Sequence, residues 1–396
     1  MATGVRALTV PLDTDLDLND VARADGYLFV RDGAGFAGRG VAARVPMDEA
    51  VAYLAAIDHD DRVGGTNGPI ALGAVPFLPG AAADLVVPQV VVGKGADGRR
   101  WITTIGDADV DVFGATEPTP SAAEYSITAG VEVDHYLGAV AAARDAVRAG
   151  EMDKAVIARP ITVTSDHPID VHAVLRRLKA TFGSSHRFSI DGLIGASPEL
   201  LVAVNGNEVT SFPLAGTTRT TGDPDLDDQL AAALQASEKN QIEHRVAIEM
   251  VRDTLLPFCS YLDWSPEPSI VKVANVQHLG SQALGMLSRP TPTVIDLVRA
   301  LQPTPAVGGY PRERAIDLIT AVEGFERGRY GGAVGWCDGA GNGCWAVTLR
   351  CAELSDDGRS ARLVAGGGIV ADSEPLAELA ETQAKFQAML SAIVRP

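Results

Sequence analysis

The sequence predicts a mixed α/β protein with a large core, and three observations carry that expectation. Residues 1–125 set short apolar runs between glycine- and proline-rich turns, the pattern of short strands. Further on, helix formers dominate from Glu132 to Gly150 and an apolar run after them reads as a strand. Hydrophobic residues make up 46% and charged residues 21% of the chain, globular proportions with ample material for a core and no indication of disorder. Taken alone, a length of 396 residues suggests two or three domains.

The elements follow in order. Val90–Val92 is a typical early run, and turns are expected at Gly64–Gly68, Gly93–Gly98 and Glu117–Ser121. From Glu132 to Gly150, alanine and other helix formers predict a helix that Gly150 ends. KAVIARP, at Lys154–Pro160, reads as a buried strand stopped by Pro160. Asp223-Pro224 supplies a cap and first-turn pair for one long helix running to about Leu256. On it Glu243, Ala247 and Met250 share a face. A Gly-Asn-Gly turn at Gly341–Gly343, between GAVGWCD and CWAVTLRC, predicts a hairpin. Alternation along its second strand puts Arg350 opposite the Trp345 face. Ser373 and Pro375 open a last helix on which Glu378, Glu381 and Lys385 point the same way. There is no internal repeat, and the lack of heptads argues against a coiled coil.

The formal net charge of −18 argues against nucleic acid or an anionic membrane as partner. A small anionic substrate would need locally placed lysine, arginine or a metal ion. Cys259, Cys337, Cys344 and Cys351 show no C-x-x-C or zinc spacing, which predicts reduced thiols in a cytoplasmic protein. Pro11 and neighbouring acids interrupt the N-terminal apolar run before a signal-peptide core forms. Nor does any run approach the ~20 apolar residues of a membrane span.

Several residues could carry chemistry. Lys154 enters an apolar strand, where desolvation favours the neutral amine a general base needs, although a strand-end lysine more often simply reaches solvent. Glu199 follows Pro198 at a loop-to-strand step. A partly buried carboxyl there would hold its proton and could give it to a leaving hydroxyl, whereas a lone glutamate beside a strand is usually a surface residue. His278, in VQHL, is among apolar neighbours, as a core histidine would be.

The ordered segments SPELL (Ser197–Leu201), PLAGT (Pro213–Thr217), SEKNQIEH (Ser237–His244), PTPAVGG (Pro303–Gly309), ERGRYGGAVGW (Glu326–Trp336), GGGIV (Gly366–Val370) and ETQAK (Glu381–Lys385) together resemble the chorismate-utilising enzymes. That family includes isochorismate, salicylate, anthranilate and aminodeoxychorismate synthases. The resemblance covers roughly residues 130–396, the expected catalytic core, and leaves 1–125 as a less recognisable N-terminal portion. It implies one large α/β (α+β) unit, with a mixed and largely antiparallel two-sheet core surrounded by helices, like anthranilate synthase component I.

The resemblance also implies roles. Lys154 corresponds to the water-activating lysine, Glu199 to the general acid, and His278 to the histidine beside the substrate ring. Glu243 and Glu381 correspond to the carboxylates that hold Mg2+, with Glu378 acting through water. Oxygen donors of this kind suit magnesium. Arg350 and Tyr330 correspond to positions that hold the enolpyruvyl carboxylate, and Arg can do so bidentately. Lys385, Gly216, Thr217, Gly366 and Gly368 would complete the contacts to the dianion. Asn240 stands where relatives carry an acidic residue three positions before the glutamate, which removes a charge from the expected metal site.

Ala215 stands where aminodeoxychorismate synthases place a nucleophilic lysine, which leaves water as the nucleophile. Ala306 stands where ammonia-using relatives carry threonine and matches the isochorismate synthase pattern. No cysteine lies in a glutaminase-like context, so no glutaminase subunit is expected. The resemblance therefore points to an isochorismate synthase feeding menaquinone or siderophore biosynthesis. The alternatives are a salicylate synthase and, further off, anthranilate synthase component I or, prompted by Asn240, a weakened chorismate-binding paralogue. Gln302 replaces the histidine of the usual HPTPA motif.

Overall fold

Two large sheets face each other in the computed structural model, which describes residues 5–65, 68–108, 112, 114, 124–273 and 276–394. Among these residues the first sheet has thirteen strands and the second nine. Phe29, Phe36, Phe188 and Leu193 of the first meet Leu72, Val86, Val334 and Ala346 of the second in a shared core. Helices Val171–Thr181 and Pro375–Val394 pack with the first sheet, and helices Glu238–Leu255 and Val294–Leu301 with the second. A sheet covered on both faces needs strands that are apolar throughout rather than alternating. Leu193–Ser197 is buried at every position for that reason. A three-stranded sheet joins Leu214–Arg219, Val276–Gly280 and Ser269–Val273.

Strands from residues 1–125 enter both sheets. Tyr27–Arg31, Ala34–Arg39 and Val90–Lys94 extend the first, while Ala43–Pro46, Ile70–Val75 and Asp84–Val87 extend the second. Gly93 belongs to a strand rather than to the turn expected at Gly93–Gly98. The turn expected at Glu117–Ser121 lies outside the described residues, as does part of Gly64–Gly68. All four cysteines are free. Among the described residues no helix is long and apolar enough to cross a membrane.

Several expected elements form as anticipated. A helix spans Val133–Arg148, and Gly150 follows at φ +74°, a backbone that glycine adopts without strain. Strands Ala333–Asp338 and Gly343–Val347 pair as the predicted hairpin. The last helix covers Pro375–Val394.

Three expectations are corrected. Pro160 does not stop its strand, which runs from Lys154 to Ser165 and pairs antiparallel with Ser360–Ile369. The carbonyl of Pro160 accepts the Gly130 N–H, so its missing N–H faces the side where the neighbouring strand Tyr125–Ala129 ends. The long helix expected from Pro224 breaks in two at Ser237, whose extended backbone (φ −72°, ψ 112°) caps the second helix with its hydroxyl on the Asn240 N–H. Arg350 is not a strand residue. The hairpin strand ends at Val347, and Arg350 takes a left-handed φ of +48° before the chain resumes at Cys351 in the other sheet.

Candidate active site

The chain passes between the two sheets at two adjacent connections, and each carries a candidate residue. Leu193–Ser197 lies in the first sheet and Leu200–Asn205 in the second, with Glu199 at the step between them. Arg350 occupies the return step from Gly343–Val347 to Cys351–Leu354. The connections are cross-braced: Val347 N–H donates to the Glu199 carbonyl at 3.1 Å, and Ala196 N–H to the Arg350 carbonyl at 3.0 Å. Both side chains open into one cavity of about 190 Å³.

Most of the predicted residues meet there. Glu199, His278, Tyr330 and Arg350 line the cavity, together with Ala306 and Thr217. Gly216, Gly366 and Gly368 supply backbone wall, and Glu243, Glu381 and Lys385 supply charge. Lys154 and Glu378 lie behind that wall rather than in it.

Glu199 is 2% exposed and accepts the Leu214 N–H. Burial pushes its carboxyl up to about 8, against smaller opposing effects from that hydrogen bond and from the charges of Lys154 and Arg350. It is therefore a proton donor at neutral pH. Burial, reinforced by the Arg350 and Lys385 charges, lowers His278 to about 3, so its imidazole is neutral. Its Nδ1 lies 3.0 Å from Thr217 Oγ1 and 3.3 Å from the Gly216 carbonyl, while Nε2 is buried without a partner among the described residues. Gly216 makes this geometry: it sits at a register shift with φ +73°, and a Cβ there would press on Asn240 at 3.1 Å. Tyr330 is buried, and burial pushes its phenol up to about 12.

Three carboxylates each face a lysine. Lys154 Nζ, almost fully buried, donates to Glu243 Oε1 at 2.7 Å. A Cβ at Gly368 would stand 2.7 Å from Lys154 Cε and 2.8 Å from Glu243 Oε1, so only glycine leaves room for this pair. Lys385 Nζ reaches Glu381 Oε1 at 2.5 Å and the Gly366 carbonyl at 2.7 Å. Lys239 Nζ lies 3.9 Å from Glu378 Oε1. Burial pushes the Glu378 carboxyl up, and the neighbouring Glu381 charge pushes it further. For Glu381 burial is the largest single effect and acts in the same direction, but the contact with Lys385 and the charges of Lys239 and Arg350 together outweigh it and hold the group below its ordinary value.

These side chains fit a hard divalent cation in chemistry. Glu378 Oε2 is buried without a hydrogen-bond partner among the described residues, and a buried carboxylate oxygen beside a second acid is relieved by such an ion. Among the described residues no three acidic, histidine or cysteine side chains already converge as a ligand set. The lysine contacts occupy their place.

Sequence reasoning missed Lys239, although its i, i+4 spacing from Glu243 puts both on one helix face. It also missed Glu323 and Arg327, a buried pair behind the cavity whose burial no local pattern announces. Gln302 does not line the cavity. Asn240 does, with its Nδ2 bonded to Ser237 Oγ at 2.9 Å.

Comparison with known proteins agrees with this geometry. The family described as chorismate binding enzyme matches residues 84–394, starting well before residue 130. The chain is 39% identical over 341 residues to isochorismate synthase DhbC of Bacillus subtilis (strain 168), covering 83% of this chain and 82% of that one. The structure of MenF, the menaquinone-specific isochorismate synthase from Escherichia coli, superimposes with a TM-score of 0.85 at 22% identity, over 99% of this chain and 95% of that one. Anthranilate synthase component I from Streptococcus pneumoniae TIGR4 gives 0.71 at 22% identity, over 97% and 92%. The two structures share this fold, as the sequence resemblance implied. With the family match spanning most of the chain and its motifs gathered on one cavity, the chain belongs to the chorismate-binding enzymes.

Proposed function

We propose that the protein is an isochorismate synthase that converts chorismate to isochorismate in the cavity between Glu199 and the Lys154–Glu243 pair. The observation that carries this reading is Glu199, a carboxyl that keeps its proton to about pH 8 and faces the same small space as Arg350 and Lys385. The kinship to isochorismate synthase DhbC supports it.

In the proposed reaction, Lys154 first releases to solvent the proton of its ion pair with Glu243; the neutral amine then takes a proton from water held beside it, and the water oxygen bonds to C2 of the ring. The double bond shifts, the C4–O bond breaks, and Glu199 gives its proton to the departing hydroxyl, which leaves as water. One water enters and one leaves, so the step is an isomerisation and is reversible. Arg350 and Lys385 hold the carboxylates, Arg350 by its guanidinium fork. His278, being neutral, can hydrogen-bond through Nε2 without adding charge. Tyr330 and the Gly216–Thr217 backbone complete the wall around the dianion.

Glu243 and Glu381, with Glu378, would hold Mg2+. That ion supplies charge compensation for the substrate carboxylate when bound. Ala215 keeps the nucleophile's place small, so water rather than a lysine amine attacks. We place the reaction in the cytoplasm, in keeping with four free thiols, and without a glutaminase partner.

Incubating the pure protein with chorismate and magnesium and resolving the products tests this. Isochorismate is expected as the principal product. Stoichiometric pyruvate would make the enzyme a salicylate synthase, and anthranilate formed with ammonia would defeat both readings.

A further inference from the structure

The wall of the cavity at Ala306 and Val307 is held from behind by residues that do not themselves line it. Arg327 and Glu323 are 4% and 2% exposed. The Arg327 guanidinium donates through Nη1 to the Val307 carbonyl at 2.7 Å and through Nη2 to the Val156 carbonyl at 2.6 Å, and both of those residues line the cavity. Its charge is met by Glu323 at 2.8 Å and 2.5 Å, and Glu323 in turn accepts the Ala158 N–H at 2.7 Å. The Phe77 ring lies under the guanidinium, 4.3 Å from ring centre to Cζ, with Tyr330 at 5.8 Å.

The other end of the same segment is tied to the same place. Gln302 is 5% exposed, and its Nε2 donates to the Pro76 carbonyl and, at 3.4 Å, to that of Phe77. Residues 76 and 77 follow directly on strand Ile70–Val75, so this platform comes from the N-terminal portion of the chain. Phe77 N–H is itself fixed by the Gly328 carbonyl at 2.9 Å.

We propose that Gln302 and Arg327 are positioning residues that clamp the Pro303–Val307 segment at both ends onto the Pro76–Phe77 platform, and so set where Ala306 stands against the substrate ring. The proposal rests on the isochorismate synthase reading for the identity of that ring. A buried guanidinium whose three nitrogens each donate to an oxygen holds backbone rigidly, because a stranded carbonyl is costly. A displacement of about 1 Å in a wall that aligns reacting groups costs up to ~10²-fold in rate.

The test compares Gln302→Met, which keeps length and removes the donor, with Gln302→His, which keeps a ring N–H. Thermal melting and circular dichroism establish that each is folded. In folded Gln302→Met, kcat/KM should fall about 10- to 100-fold. The loss should lie mainly in kcat, because Arg350 and Lys385, which grip the carboxylates, are untouched, and the share of pyruvate among the products should rise. Gln302→His should recover most of the rate. Wild-type kcat, KM and product distribution in folded Gln302→Met would overturn the proposal, as would equal impairment of the two variants. Should Gln302→Met fail to fold, Phe77→Leu removes the ring under the guanidinium and is read the same way. The wild-type product decides separately whether the enzyme is an isochorismate synthase. If it is not, the clamp is judged on the same variant-to-wild-type ratios for whatever product forms.

Discussion

A rate that falls above pH 8 and collapses in Glu199→Gln is the sharpest consequence of the buried carboxyl. Burial lifts Glu199 from 4.5 to about 8. At pH 6 about one molecule in a hundred has lost the acid proton, and at pH 9 about nine in ten have, so kcat should drop about tenfold per unit on the alkaline side. Glu199→Gln keeps the shape and can still accept the Leu214 N–H, yet has no proton to give, a loss of ~10²–10⁴-fold. The same proton has a signature in stability. With the folded value raised, the native state holds between pH 4.5 and about 8 a proton that the unfolded chain releases. That contribution is full below pH 4.5 and is lost as the pH rises to about 8, at roughly 1.4 kcal/mol per unit within the window. Glu199→Gln should flatten this slope while abolishing turnover. Chromatographic measurement of isochorismate across the alkaline range, paired with denaturant melts at each pH, reads both quantities. A flat alkaline rate profile, or near wild-type turnover in Glu199→Gln, would refute the acid assignment.

The other site predictions separate binding from chemistry. Turnover should require magnesium and be lost in Glu381→Gln, because carboxylates from separate helices cannot substitute for each other, and full activity with EDTA and in the variant would remove the metal from the site. Lys154→Ala should lose ~10²–10⁴-fold in kcat while chorismate binding stays measurable by calorimetry, whereas Arg350→Ala should act chiefly on KM. The reverse pattern in that pair would exchange their roles.

What the sequence revealed and what it hid have physical reasons. The helix of Glu378, Glu381 and Lys385 was legible because period and capping are local, and the hairpin at Asn342 because its turn residues are local. Pro160 misled because whether a strand tolerates proline depends on which neighbour its missing N–H would face, here the end of strand Tyr125–Ala129. Ser237 was overlooked because helix formers surround it on both sides, and the break shows only in its own extended backbone. Arg350 was assigned a strand face by alternation. The structure gives it a positive φ at a crossover between sheets, which period-two patterning cannot register. The contacts of Gln302 and Arg327 were beyond reach because their partners Pro76, Phe77 and Val156 lie more than a hundred residues away.

Charge explains how so acidic a chain can take a dianion. The net charge of −18 is spread over the surface, where salt screens each charge within about 10 Å. Around the cavity the balance is reversed. Lys154, Lys239, Lys385 and Arg350 stand against the carboxylates of Glu243, Glu378 and Glu381, and Glu199 adds no charge while it keeps its proton. A divalent cation held by those carboxylates would make the site more positive still and favour a substrate with two carboxylates. The same ledger explains why His278 is neutral: burial and the nearby Arg350 and Lys385 charges both oppose an imidazolium. Replacing Glu199 by a residue that is an anion at neutral pH would remove the proton donor and also offset one of the cations around the cavity. In the proposed reaction the raised carboxyl therefore serves binding as well as the chemical step, and Glu199→Asp, if its shorter side chain sits closer to solvent and ionises, should weaken chorismate binding as well as turnover.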